Sequence, residues 1–288
     1  MSSIKTKQNL SLENDFLKID FYDPQDKSDP HFGTRYNHCG YISQITLNAT
    51  GEQLLTSPSA VFVPFNGDGF PDEFEYPVGY SEIVPGETFI KLGVGTEKKL
   101  SDNTYTNWDK HPILAYAHTA CTQATDSTVF AQELVHEQYQ YAYRKTISLN
   151  DDGFTITHKI QNNGTKAFSS MWYSHCFFNI QNQSEYLLTL PRSYTEKNCS
   201  TYRFSSNHSA DEKGVCYNWL SGASNPNFYR MDFETFSVYA DCDTPCFEFQ
   251  LYINNRIVSP EPKIEFTAKP GEAFGFSTKY TLHKRNTE

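Results

Sequence analysis

Two polar residues in apolar or weakly charged surroundings carry the chemistry that this sequence offers. His175 lies inside Tyr173-Ser174-His175-Cys176-Phe177-Phe178-Asn179-Ile180, a run that reads as one aromatic strand. An imidazole there is either a core group bonded to a backbone carbonyl or a proton donor at the mouth of a pocket. Glu261 is a lone carboxylate in Val258-Ser259-Pro260-Glu261-Pro262. Brought together, the two would form an acid–base pair: histidine holds an available proton near neutrality, and partial burial lifts a carboxylate toward useful basicity. Glu248 is the rival carboxylate. Pro262 marks an edge or a bulge, because a proline cannot donate to a β ladder. Arg35, Glu73 and Lys91 are charged residues amid aromatics, suited either to a satisfied ion pair or to hydrogen bonding with hydroxyl groups.

The elements that must position these groups read as strands. Tyr41–Leu47 ends in the turn cluster Asn48-Ala49-Thr50-Gly51, and Thr128–Leu134 precedes the aromatic run Tyr139–Tyr143. Phe154, Ile156, His158 and Ile160 alternate with polar residues, between the turn signals Asp151-Asp152-Gly153 and Asn162-Asn163-Gly164. Phe247–Ile253, Lys263–Thr267 and Ala273–Leu282 continue the pattern. No dozen residues show helical periodicity, and no βαβ alternation appears. The expectation is an all-β chain forming one large antiparallel β-sandwich, a single domain over residues 1–288. The polar stretch Ser193–Gly214 is expected to be a loop over the site.

Composition narrows the function classes. A net charge of −10 and a pI near 5.4 argue against nucleic acid or an anionic membrane as partner. Aromatics make up 15% of the chain, with 22 Phe and 19 Tyr, which favours pleated, half-buried surfaces. No apolar run is long enough to span a membrane, and the first residues lack the apolar core of a secretory signal, so a cytoplasmic location is expected. The seven cysteines are scattered, and Cys242 and Cys246 have no second pair at metal spacing. Free, mostly buried thiols are expected, and no metal site. Gly67-Asp68-Gly69 and Gly93-Val94-Gly95 open no helix, so no dinucleotide fingerprint is present.

Four blocks in the second half resemble the aldose 1-epimerase (galactose mutarotase-like) family. Tyr173–Ile180, with the preceding Phe154–Asn162, is similar to the family's Asn-His-x-Tyr-Phe-Asn-Leu strand and its predecessor. Pro245–Tyr252 resembles its Pro-x-x-Gln-x-Tyr segment, which singles out Gln250. Ile257–Pro262 resembles its Cys-x-Glu-Pro, and Ala268-Lys269-Pro270-Gly271-Glu272 with Tyr280 resembles its closing block. In the first half, Gly33–Asn37, Pro71–Phe74 and Lys91–Gly95 look like a divergent bacterial branch. The family's Asn-Arg-Ile and His-Gly-Gly segments, and its distal aspartate, have no recognisable counterpart.

The resemblance implies a galactose mutarotase-like supersandwich and interconversion of the anomers of a free or modified sugar, with no cofactor. By residue match His175 is the acid and Glu261 the base, with Arg35, Glu73, Lys91 and Gln250 as sugar contacts. Lys91 is expected near the place of the family's second histidine, with His111 as another replacement. Arg35 is expected to stand for the missing arginine. Trp108 and Trp172 are read as buried aromatics or stacking platforms. The missing residues keep a non-catalytic carbohydrate-binding or regulatory protein in view, and a lyase or hydrolase on an acidic glycan is the third class. The expected partner is a small-molecule sugar, with the protein a monomer or homodimer.

Overall fold

The computed structural model describes residues 10–191, 199–205, 214–219 and 225–285. They form antiparallel strands with one 3₁₀ turn at Tyr80–Glu82. The largest sheet has nine strands, in the order Cys199–Ser205, Glu185–Pro191, Phe228–Asp232, Phe236–Cys242, Ala273–Lys284, Gly153–Asn162, Tyr139–Asn150, Ser127–His136 and His118–Gln123. Opposite it lies a six-stranded sheet ordered Val215–Trp219, Glu248–Ile253, Ile257–Ala268, Phe168–Ser174 and Asp72–Phe74, with Phe178–Asn179 also paired to Ile257–Ala268. A four-stranded sheet from Leu10 to Gln53 and a three-stranded one (Thr88–Lys91, Gly95–Lys98, Ile113–Tyr116) complete the fold. No described helix is long and apolar enough to cross a membrane.

The sandwich follows from period-two alternation. Gly153–Asn162 and Ala273–Lys284 bury alternate residues, and their inward side chains meet those of the six-stranded sheet. Trp172 packs on Phe276 with ring centroids 4.6 Å apart, and Phe266 stacks on Phe274 at 5.0 Å. One continuous apolar cluster takes in residues from all four sheets.

A buried polar network also joins the two large sheets. Asp72 accepts from Lys145 Nζ (2.7 Å), Trp172 Nε1 (2.9 Å) and Asn37 Nδ2 (3.1 Å). Burial raises its carboxyl pKa, but Lys145 and its other partners reverse the shift and hold it below the usual carboxylate range. His158, 3.8 Å from Asp72 and 2.7 Å from the Tyr143 hydroxyl, is pushed down to about 3 by burial and stays neutral. Trp172 is therefore a core residue.

Three expectations change. Tyr173–Ile180 is not one strand: the ladder to Ile257–Ala268 runs to Tyr173↔Lys263 and resumes only at Phe178↔Val258. Between them Ser259–Pro262 lack a partner on that side, and two of these four residues are prolines without an N–H. The interrupted chain bonds elsewhere, from His175 N to Pro71 O (2.8 Å) and from Phe177 N to Gly69 O (3.0 Å). Gly69 has φ +64°, and a Cβ there would sit 2.5 Å from the Ile42 carbonyl, so glycine is required beside this crossing. Pro262 thus marks a break within an interior strand rather than a sheet edge. Within Ser193–Gly214, Cys199–Ser205 is an outer strand of the large sheet, while 193–198 and 206–213 lie outside the described residues. Cys39, Cys121, Cys176, Cys216, Cys242 and Cys246 are free; Cys39, Cys176 and Cys246 are buried, whereas Cys216 is exposed.

Removing Lys145 leaves the Asp72 carboxylate buried without its cation. Lys145→Met should cost about 3–5 kcal/mol of unfolding free energy, read from urea denaturation. Asp72→Asn in the same chain should recover part of the loss. A near-neutral Lys145→Met would show that the pair does not join the sheets.

Candidate active site

The same alternation gives the six-stranded sheet an outer face lined with polar groups. Phe74, Trp172, Leu251 and Ile264 turn into the core, so their neighbours turn outward. Cross-strand register then places Glu73 opposite Tyr173, Tyr173 opposite Lys263, and Gln250 opposite Glu261. Tyr252 opposes Cys216 one step along. Tyr173, Cys216, Gln250, Tyr252, Glu261 and Lys263, with loop residues 35–36, 58–59, 66 and 107–108, line a cavity of about 530 Å³, within the range of small-molecule sites.

His175 and Glu261 meet in its wall. His175 Nδ1 lies 2.9 Å from Glu261 Oε1, and both residues are buried, at 3% and 4% exposure. The imidazole is thus bonded to a carboxylate, not to a backbone carbonyl. Its Nε2 is 3.4 Å from Glu73 Oε2, a charge contact whose geometry falls short of a hydrogen bond, so Nε2 has no hydrogen-bond partner. Tyr173 and Tyr36 pack on the ring, with centroids 4.4 and 5.3 Å away. Burial pulls the pKa of His175 down, but the charge and hydrogen bond of Glu261, joined by Glu73, outweigh it and the net shift is upward.

Glu73 is fully buried and anchors the floor beneath the pair. It accepts from Arg35 Nε (2.8 Å), the Tyr173 hydroxyl (3.1 Å) and Lys91 Nζ (3.3 Å). Desolvation opposes its ionisation, yet Arg35 and Lys91 hold its carboxyl well below the ordinary range. Lys91 also donates to the Glu75 carbonyl at 3.3 Å.

Of the six residues singled out in the sequence, His175, Glu261, Arg35 and Gln250 line the cavity. Glu73 and Lys91 do not: they lie beneath it, and their polar atoms serve the ion cluster. Arg35 keeps one face to the cavity, with its guanidinium over the rings of Tyr36, Phe65 and Trp108 at 4.7, 5.2 and 5.4 Å. His111 does not replace a second histidine. It bonds Lys98 O at 3.1 Å and stacks on Tyr105, outside the cavity lining. Trp108 is an exposed rim residue rather than a buried aromatic, at 69% exposure. Glu248 faces Lys263 at 3.6 Å and is not in the lining. Sequence reading missed Tyr36, Glu75, Tyr173, Tyr252 and Lys263. The signal was present for the last four, two residues from Glu73, His175, Gln250 and Glu261 along their segments. Among the described residues no His, Cys, Asp and Glu group could hold a metal ion.

No family model matches the sequence, and no curated protein does. Solved structures do match in fold. A galactose mutarotase-like protein from Lactobacillus casei is 12% identical, with 96% of this chain and 100% of that one covered, at a TM-score of 0.61. A galactose mutarotase related enzyme from Lactobacillus acidophilus is 13% identical, covering 94% and 97%, at 0.58. A galactose mutarotase-like protein from Clostridium acetobutylicum is 10% identical, covering 96% and 95%, at 0.58. The chain has the galactose mutarotase-like fold that its motifs pointed to.

The charges of the floor make stability depend on pH. His175 has a raised folded pKa, so its contribution is complete below about 6.5 and is lost as pH rises through the folded value. Replacing Glu73 by Gln should lower the midpoint of the His175 ring titration followed by NMR; an unmoved midpoint would remove Glu73 from the account. Glu97, buried beside Lys91 with neither carboxylate oxygen bonded, is pushed by burial from 4.5 up to about 8. The folded state then holds a proton that the unfolded state has lost, and stability falls between those pH values. Melting temperatures measured from pH 5 to 9 should fall less steeply in Glu97→Gln than in wild type.

Proposed function

We propose that the protein is an aldose 1-epimerase-like enzyme that interconverts the anomers of a neutral reducing sugar by general acid–base catalysis. The observation that carries this reading is the His175–Glu261 contact in the wall of a cavity of small-molecule size. Opening a hemiacetal requires a proton to leave the C1 hydroxyl and another to reach the ring oxygen. Glu261 takes the first, and the O–H electrons form the C1=O bond. The C1–ring oxygen bond breaks, its electrons pass to the ring oxygen, and His175 supplies the second proton. After rotation about C1–C2 the same groups act in reverse and close the ring on the other face.

The pair suits this exchange. With Nδ1 turned to Glu261, Nε2 is buried 3.4 Å from Glu73 Oε2 without a well-formed hydrogen bond, and it carries the proton that this reading assigns to the sugar. Opening converts imidazolium and carboxylate into imidazole and carboxylic acid, and the open-chain sugar is neutral. No charge is stranded in a buried site, where an unpaired one would be costly. Gln250 and Tyr252 extend from the same face to meet ring hydroxyls. Among the described residues, the cavity's lysine and arginine already face carboxylates, Arg35 with Glu73 and Lys263 with Glu75 and Glu248. That arrangement favours an uncharged sugar over a phosphorylated one.

Anomer exchange measured by NMR on freshly dissolved sugars tests the reading. Glu261→Gln and His175→Asn should each lower kcat by roughly 10²–10⁴-fold, with circular dichroism confirming that each variant is folded. Wild-type activity should fall as pH rises through the raised pKa of His175, because the acid then lacks its proton. Sugar binding without accelerated exchange in the wild-type protein would replace this reading with that of a carbohydrate-binding protein.

A further inference from the structure

Beside the cavity lies a second, shallower groove of about 250 Å³, lined by Arg35, Tyr36, Val63, Pro64, Phe65 and Lys110. Arg35 and Tyr36 line both spaces, so the groove begins where the cavity wall ends. The ridge between them is Phe65 against Trp108, with ring centroids 5.1 Å apart. Trp108 shows 69% of its surface to solvent and Val63 39%, an apolar exposure with no use in the core.

The loop that builds this groove is fixed to the site. Asn66 N and Gly67 N donate to Val63 O at 2.9 and 3.2 Å. Asn66 Nδ2 donates to Ser59 Oγ (2.9 Å), and the Tyr36 hydroxyl to Asn66 O (3.0 Å). Arg35 Nη1 reaches Phe65 O at 3.4 Å. Such a surface is formed before a ligand arrives, which lowers the ordering cost of binding.

The orientation of the sugar connects the groove to the reaction, and this step rests on the proposed function. An anomeric carbon between His175 and Glu261 lies in the buried part of the cavity. The remote end of the same ring must then face the rim, at Trp108 and Phe65. We infer that the substrate is a reducing di- or oligosaccharide whose second unit leaves the rim over Trp108 and Phe65 and lies in the groove. The apolar face of a pyranose suits the two rings and the Val63–Pro64 edge, and Lys110 can donate to its hydroxyls. A free hexose would leave this surface uncovered.

The test compares each disaccharide with its own reducing-end sugar: maltose, cellobiose and melibiose against glucose, and β-1,4-galactobiose against galactose. Affinity is measured by calorimetry and anomer exchange by NMR, for wild type and Val63→Asp, with circular dichroism confirming the fold of the variant. At least one disaccharide should exceed its monosaccharide about tenfold in affinity or kcat/KM, and Val63→Asp should bring that ratio back toward one. The inference is overturned if no disaccharide exceeds its monosaccharide, or if the gain survives Val63→Asp. A gain in affinity sensitive to Val63→Asp, with no exchange of any sugar, would keep the groove and remove the epimerase reading. Accelerated monosaccharide exchange without any disaccharide gain would do the reverse.

Discussion

Two adjacent carboxylates, on the two faces of one short strand, set the constraint that the rest of the structure answers. Asp72 points into the core and Glu73 toward the cavity, as strand alternation requires. Neither can be buried as an anion without partners. Asp72 is answered by Lys145, from the nine-stranded sheet, and by the Trp172 indole, so its neutralisation also ties that sheet to the six-stranded one. Glu73 is answered by Arg35, Lys91 and Tyr173, which come from a loop, the three-stranded sheet and the adjoining strand. One three-residue strand therefore fixes the sandwich on one side and the site on the other.

Glu73 also helps to explain how the pKa of a histidine is raised where water is scarce. Desolvation alone would strip the proton from His175. Glu261 is its bonded partner, but in the proposed reaction it gains and loses a proton itself, which makes it an unsteady counter-charge. Glu73, held ionised by Arg35 and Lys91, supplies a fixed negative charge 3.4 Å from Nε2 of the ring. The proposed division is physically sensible: one carboxylate holds the field while the other would exchange protons. It accounts for Lys91, whose burial would be hard to explain as a direct sugar contact.

How much of this was legible in the sequence differs by residue. His175 and Glu261 stood out because each is a rare polar group in its segment, and the strands behind them carried clear alternation. The β architecture followed from the same pattern. Glu73 and Lys91 were visible as charges, but their role was not, because sequence does not say whether a charged side chain turns to the cavity or beneath it. Trp108 and His111 went the other way round: their exposure and burial depend on loop packing that no local pattern encodes. The outward Tyr173 and Lys263 were recoverable from parity with His175 and Glu261, once the strands were known to share a face.

The prolines around Glu261 connect sequence, sheet and chemistry most directly. A histidine in an unbroken ladder would have its backbone committed to both neighbours and its ring held at the pleat. Here the chain leaves the ladder after Tyr173 and returns at Phe178, and the strand it leaves is the one that carries Pro260 and Pro262. Opposite an ordinary sequence, such a departure would leave backbone donors unpaired, at a cost comparable to a lost hydrogen bond for each buried one. Two of the four residues facing the gap have no donor to lose. The released backbone bonds Pro71 and Gly69 instead, on the segment that leads into Asp72 and Glu73. The feature that lets His175 leave the sheet thus frames Glu261 on one side, and on the other binds the His175 backbone to the segment that carries Glu73.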